Sequence, residues 1–218
     1  MTADQLVQEI GSLWDALALA GQGAFSNAHP ANGHKSPRDQ ARALQSFADV
    51  AAVANTHLAK LSADFAVRLG AASTKALIDI EQERQKAIDA IAHVFRQLAV
   101  QVVRAIRSGS VGGPGALIAG AHGGIGMLVG RQAGILQISV RDAAARQWKS
   151  PRRLVETIAR DFTVQAQVIA AISNLRAQGH ERAYVGQDEY ELSEIEAQRA
   201  TLFHPNSKEL PRASDLHA

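Results

Sequence analysis

The sequence predicts an all-α protein: long amphipathic helices in a bundle or helical hairpin, with a Gly-rich segment and an extended C-terminal tail. Three observations carry that expectation. Apolar residues recur in steps of three and four along most of the chain, the spacing of a helix face. Aromatic residues are only 5% of the total, so a core has to be made of Ala, Leu, Val and Ile, which suit helix seams. The 17 Gly and 6 Pro gather in a few places, whereas an all-β fold needs turn residues every ~10 positions. At 218 residues the chain holds one large domain or two small ones. The absence of cysteine excludes a disulfide framework and thiolate metal sites and leaves the redox compartment open. With 23 Lys and Arg against 21 Asp and Glu, the formal charge of +2 gives little generic attraction for nucleic acid.

The first helix is expected over residues 1–21. Thr2 and Gln5 are spaced as a capping box, and Leu6, Val7, Ile10, Leu13, Trp14 and Leu17 fall on one face before Gly21 ends the run. The N-terminus carries Asp4, Glu9 and Asp15 in a helical pattern and reads as mature protein, without a secretory leader. Residues 22–36 are rich in Gly, Asn, His and Pro and read as a flexible linker. Ser36 followed by Pro37 starts the long helical region 37–107, because Ser caps free amides and Pro at the first position gives up an amide that has no partner. One seam runs through Leu44, Phe47, Ala51, Ala54, Leu58, Leu61 and Phe65. Another runs through Leu77, Ile80, Arg84, Ala87, Ile91, Val94, Leu98 and Ala105. The two are out of register across Gly70–Thr74, which is either a stutter in one rod of roughly 105 Å, at about 1.5 Å per residue, or the turn of a hairpin.

Residues 108–149 comprise a Gly-rich apolar segment and a short helix, and "GALIAGAHGGIGMLVG" at 115–130 admits three readings. As a dinucleotide fingerprint, Gly120, Gly124 and Gly126 give G-x-x-x-G-x-G, the spacing that lets backbone approach a pyrophosphate in a Rossmann-like protein. That reading lacks further β-α units, and neither Tyr184 nor Tyr190 has a Lys four positions on. As a membrane element, residues 111–130 carry no Asp, Glu, Lys or Arg, but each aliphatic residue favours insertion by only about 0.3–0.6 kcal/mol and His122, Pro114 and the glycines offer little. Insertion is marginal, although Gly126, Gly130 and Gly134 form two successive G-x-x-x-G steps. As a packing element, the same glycines admit a neighbouring helix at short distance and need neither cofactor nor lipid. We adopt this last reading, since each helical Gly loses up to about 1 kcal/mol relative to Ala and must gain it back from contacts.

Residues 150–179 form an amphipathic helix that starts at Ser150 and Pro151, with Leu154, Val155, Ile158, Phe162, Gln165, Ile169 and Ile172 on one face until Gly179. Arg146, Lys149, Arg152 and Arg153 make a compact basic group around its start, a candidate contact for phosphate or DNA, although a solvated charge cluster is the commoner meaning. Residues 180–218 read as a polar tail with one short helix near 189–200. His29, His34, His57, His93, His122, His180, His204 and His217 show neither an i, i+4 pair nor H-E-x-x-H, so no metal site is expected. No nucleophile elbow frames a serine, so no catalytic residue is assigned.

Two stretches carry a family resemblance. "GILQISVRDAAARQWKSPRRLVETIARDF" at 134–162 resembles the short helix and "ETIAR" helix of phage Mu F-like minor head proteins, and "LFHPNSKEL" at 202–210 resembles their C-terminal "HPN" segment. The intervening "NLRAQGHERAYV" is similar in rhythm. The chain departs from that family in having no cysteine where a Cys-x-x-Cys and a final Cys are usual, and in a shorter stretch before "HPN". The resemblance, confined to residues 134–218, implies a low-copy structural protein beside the portal and DNA of a phage head, without catalytic residues or cofactors. The expectation is therefore a non-enzymatic virion component, in the host cytoplasm during assembly, that packs as a homo-oligomer or against portal or capsid proteins, with DNA and membrane as further candidate partners. An internal protein ejected with the DNA, whose glycine segment later meets a membrane, is the alternative virion role.

Overall fold

The computed structural model describes residues 1–28, 36–108, 151–203 and 211–218. Four long helices, α1 (Ala3–Ala28), α2 (Pro37–Arg68), α3 (Thr74–Ser108) and α4 (Pro151–Ala177), are followed by strands β1 (Arg182–Val185) and β2 (Asp188–Glu191), helix α5 (Leu192–Leu202), a 3-10 turn (Ala213–Asp215) and strand β3 (Leu216–His217).

The start signals work as their chemistry predicts. Gln5 N–H donates to Thr2 Oγ1 at 3.2 Å and Thr2 N–H donates to Gln5 Oε1 at 2.8 Å, the reciprocal capping box. Ser36 Oγ accepts from Arg38 N–H at 3.2 Å, with Pro37 in the first turn. The out-of-register seams belong to two helices joined by a turn. Gly70 takes φ +65°, a left-handed conformation open to a residue without Cβ, and Ser73 Oγ then accepts from Ala76 N–H at 3.2 Å to begin α3.

Phe47, Ala54, Leu58 and Phe65 of α2 and Ile80, Ala87, Ile91, Val94, Leu98 and Ala105 of α3 are buried, as the seams require. Leu77 is not: it stands 50% exposed, because the inward face of α3 begins with Ala76 and Ile80 and Leu77 lies one residue's rotation away from it. Arg84 does enter the seam. Its guanidinium pairs with Glu81 and donates to Ala59 O and Ser62 Oγ at 3.4 Å each, while its stem covers apolar surface.

Gly21 does not end α1, which continues to Ala28, so the intervening linker is shorter than residues 22–36. A Cβ at Gly21 would stand 2.8 Å from Val102 Cγ2. The glycine is a place where α1 and α3 approach, and a terminator reading mistakes packing for punctuation. α1 packs against α2 and α4, α3 packs against the same two, and α1 also touches α3 across the middle. Asp15 meets Arg152 while Gly11 faces Glu156, so α1 and α4 run in opposite directions. The result is an up-down-up-down four-helix arrangement. Trp14 and Phe95 (centroids 6.3 Å apart) and the edge-on pair Phe65–Phe162 (5.7 Å) tie its faces together.

The expected polar tail over 180–218 is corrected over residues 180–203 and 211–218, which form an ordered module containing the expected short helix as α5. β1 and β2 form an antiparallel hairpin in which Val185 pairs with Asp188 across Gly186 (φ +68°) and Gln187. β3 pairs with the other edge of β1, giving the order β2-β1-β3. Ala183, Val185, Leu192, Ile195, Phe203 and Leu216 bury themselves against Val168 and Ile172 of α4 as a second, smaller core. Burial of those few apolar groups is what a composition-based reading of this stretch as tail overlooks.

Candidate functional site

Where α3, α4 and α5 meet, the bundle changes from apolar to polar. Asp161 and Gln165, one turn apart on α4, are only 7% and 4% exposed. Opposite them α5 is seated by ion pairs. Arg199 donates to Glu83 Oε1 at 2.5 Å, and Lys86 reaches the same oxygen at 3.1 Å. One turn nearer the hairpin, Glu196 accepts from Lys75 Nζ at 2.8 Å and from Arg176 at 2.7 Å.

The electrostatics of this seam are uneven. Burial, and then the negative charge of Glu83, push the Asp161 carboxyl up to about 7, against the pull of the neighbouring Gln165 amide and then of Arg199 and Lys86. The Gln165 amide stands beside Asp161, close enough to favour its charged form but outside strict hydrogen-bond geometry, and Arg199 Nε is buried without a partner. Glu196 has the opposite environment: the hydrogen bond from Lys75, followed by Arg176, holds its carboxyl below the usual range despite some burial.

Beside the Glu196 pairs lies a cleft of about 230 Å³, lined by Ser73, Ala76, Ile169, Ile172, Ser173 and Glu196 among others. It is smaller than most ligand pockets, which run to about 300–1,000 Å³. Its two hydroxyls, Ser73 Oγ and Ser173 Oγ, bond to each other at 3.1 Å, and no imidazole lines it to activate either one. The lining cations Lys75 and Arg176 are already engaged by Glu196.

No family model, curated protein or solved structure matches the chain. The site therefore has to be read from its own chemistry.

Of the basic group, Arg152 and Arg153 open α4, while Arg146 and Lys149 lie outside the described residues. Arg152 is spent on the fold, since its Nη1 donates to Asp15 at 2.7 Å and its Nε to Glu156 at 2.8 Å. Two carboxylates thus compensate the residue expected to meet phosphate. Gly120, Gly124, Gly126, Gly130 and Gly134 also lie outside the described residues. Close approach through glycine is seen instead at Gly21 and at Gly11, where a Cβ would stand 2.6 Å from Glu156 Oε1. Among the described residues no group of three or more His, Asp or Glu could hold a metal ion, and no helix is long and apolar enough to cross a membrane. His93 lies 3.2 Å from Gln97, and His217 stacks on Tyr184.

Sequence reasoning placed Gln165 on the inward face of α4 and passed over Asp161. The signal was present: Asp161 is three residues after Ile158 and four before Gln165, an acid on an apolar stripe. Glu83 and Arg199, by contrast, carry no sequence mark that pairs them across 116 positions.

Proposed function

We propose that the chain is a non-enzymatic helical structural protein of a phage virion, in a minor-head or portal-proximal role, that acts by packing helices against further copies or other virion proteins. The observation that carries this reading is an excess of connection. α3 ends and α4 begins at the same end of the bundle, where Gly21 faces Val102 and Asp15 pairs with Arg152. Antiparallel neighbours need about 2–8 residues between them, yet residues 109–150 are interposed. That length exceeds what joining the two helix ends requires, and a long insertion between scaffold elements is a usual place for binding function. Its glycine and alanine content suits close helix contact, and the resemblance of 134–162 and 202–210 to Mu F-like minor head proteins supplies the virion context. The internal hydrogen bonding of the cleft's serines and the paired state of its cations favour structure over catalysis.

Sedimentation of the full chain tests the packing role. An oligomer that becomes monomeric when 109–150 is replaced by a short Gly-Ser linker supports it, and a monomeric full chain overturns it. For the virion role, mass spectrometry of purified particles made by a phage that carries the gene should find the chain at low copy; its absence counts against that context.

A further inference from the structure

We propose that the outer face of the C-terminal module is a docking surface for residues 131–150 of a second copy, so that copies join head to tail. The inference rests on the packing role proposed above and deepens it: 109–150 is what grips, and the module is what it grips. The module's sheet has one face partnered and one face in solvent. Ala183, Val185 and Leu216 turn inward and pack with Val168 and Ile172 of α4. Their neighbours along the strands point the other way, and the register sets Arg182 beside Glu191 and Tyr184 between Glu189 and His217. All five of these outward residues are exposed. Tyr184 keeps 40% of its surface in water even with the His217 ring stacked on it at 5.6 Å.

Charge says what fits there. Residues 180–218 hold eight Asp and Glu against four Lys and Arg, while 109–150 holds four Lys and Arg, all within 131–150, against one Asp. The total of +2 thus conceals two regions of opposite sign. Within the module Glu196 is taken by Lys75 and Arg176, and Glu189 by Arg182. Asp188, Glu191 and Glu194 are exposed and pair with no cation of the described residues. Arg131, Arg141, Arg146 and Lys149 are the complementary charges. Three of them are arginines, whose flat guanidinium can pair with a carboxylate and lie against an aromatic ring, the two features that Glu191 and Tyr184 offer.

Distance assigns the contact to a second copy. The sheet packs on Val168 and Ile172, and Glu196 pairs with Arg176, so these parts of the module stand roughly 25 to 38 Å along α4 from Pro151, at about 1.5 Å per residue. Arg146 and Lys149 lie only five and two residues before Pro151 and extend at most about 17 Å from it. The module they can reach is therefore that of another copy. A contact between two different surfaces does not close on itself as a two-fold dimer does, and it propagates into a ring or a chain.

Sedimentation of the full chain and of two charge variants tests the docking. One variant neutralises the segment (Arg141→Gln, Arg146→Gln, Lys149→Gln) and the other the module (Asp188→Asn, Glu191→Gln, Glu194→Gln). Association of the wild type should weaken about tenfold between about 0.05 M and about 0.5 M salt, and each variant alone should lose association to about the same extent at low salt. An equimolar mixture of the two should form one-to-one pairs and nothing larger, because one intact segment meets one intact module. A module variant that associates like the wild type, or a mixture that stays monomeric, overturns the docking and leaves the packing role standing. A wild type that is monomeric at every salt concentration overturns both. Should either variant misfold, carbodiimide cross-linking of mixed isotopically light and heavy wild type decides: Lys149 joined to Asp188, Glu191 or Glu194 across copies supports the docking, and an associated wild type without that link overturns it.

Discussion

Gly21 and Asp161 are single positions at which a small group governs a large contact. At Gly21 the missing Cβ is what lets α1 lie against Val102 of α3, since a methyl there would sit 2.8 Å from Val102 Cγ2, too close for any real contact. Valine adds still more bulk at a helix crossing that has no slack. Gly21→Val should lower unfolding free energy by about 1–3 kcal/mol in urea titration, as overpacking does. Pairing it with Val102→Ala should restore part of the loss in a double-mutant cycle, because the two substitutions share one contact. Strictly additive losses would refute the account. Asp161 acts through its proton. Its folded value of about 7 lies above the unfolded 3.8, so the fold is favoured while the proton is held and loses that advantage as pH rises between the two. From this group alone, global stability should fall by on the order of 4 kcal/mol between about pH 4 and about pH 7 and then level off. Asp161→Asn should abolish that decline, and urea midpoints of the two proteins that track each other across the window would contradict the assignment.

The C-terminal module is held to the bundle in two ways, apolar and ionic, and they differ in strength. Phe203 is fully buried, in the same cluster as Val168, Ile172, Val185 and Ile195. Removing its ring should cost about 3–5 kcal/mol of local stability. Phe203→Ala should thus free β1, β2 and α5 while leaving α1–α4 intact, seen as lost exchange protection confined to 182–203 with little change in helical circular dichroism. A single cooperative loss of the entire chain would show that the module has no separate identity. The pairs of Glu196 with Lys75 and Arg176 are partly solvent-exposed and contribute far less, about 0–1 kcal/mol each. This division also explains what the sequence reveals. α1 to α4 are legible because each buries a long stripe whose period repeats many times, and because Thr2, Ser36 and Pro37 mark starts by local chemistry. The hairpin is obscure because its strands are four residues long and only Ala183 and Val185 alternate inward, too short a run to show a period. The end of α1 is misread because glycine serves both as a helix stop and as a place of close approach, and only the partner, Val102, decides which. The polar seam is half legible: Asp161 and Gln165 share a face with Ile158, whereas Glu83 and Arg199 meet only through the fold.

Taken together, the four long helices of the described residues contact one another directly, α1 and α3 each against α2 and α4 and α1 also against α3. On the reading proposed above, the interposed segment enters stability as a connection, through the entropy of closing it. That entropy grows as the logarithm of length, at about 0.6 kcal/mol per doubling. Replacing 109–150 by an eight-residue Gly-Ser linker, which reaches up to about 27 Å when extended, should leave the four helices in place and raise unfolding free energy by about 1.4 kcal/mol. Self-association should disappear in the same variant if the segment works as proposed. The two readouts answer different questions: stability in urea reports whether the bundle is complete without the segment, and sedimentation reports whether the segment is what other copies grip. A large loss of stability would mean that α3 and α4 depend on contacts with the segment, and the division of the chain into scaffold and insertion would fail. Unchanged association with stability retained would move the oligomer contact onto the bundle itself, where the exposed Val53 and Val67, on the outer face of α2, are the first positions to substitute with Lys.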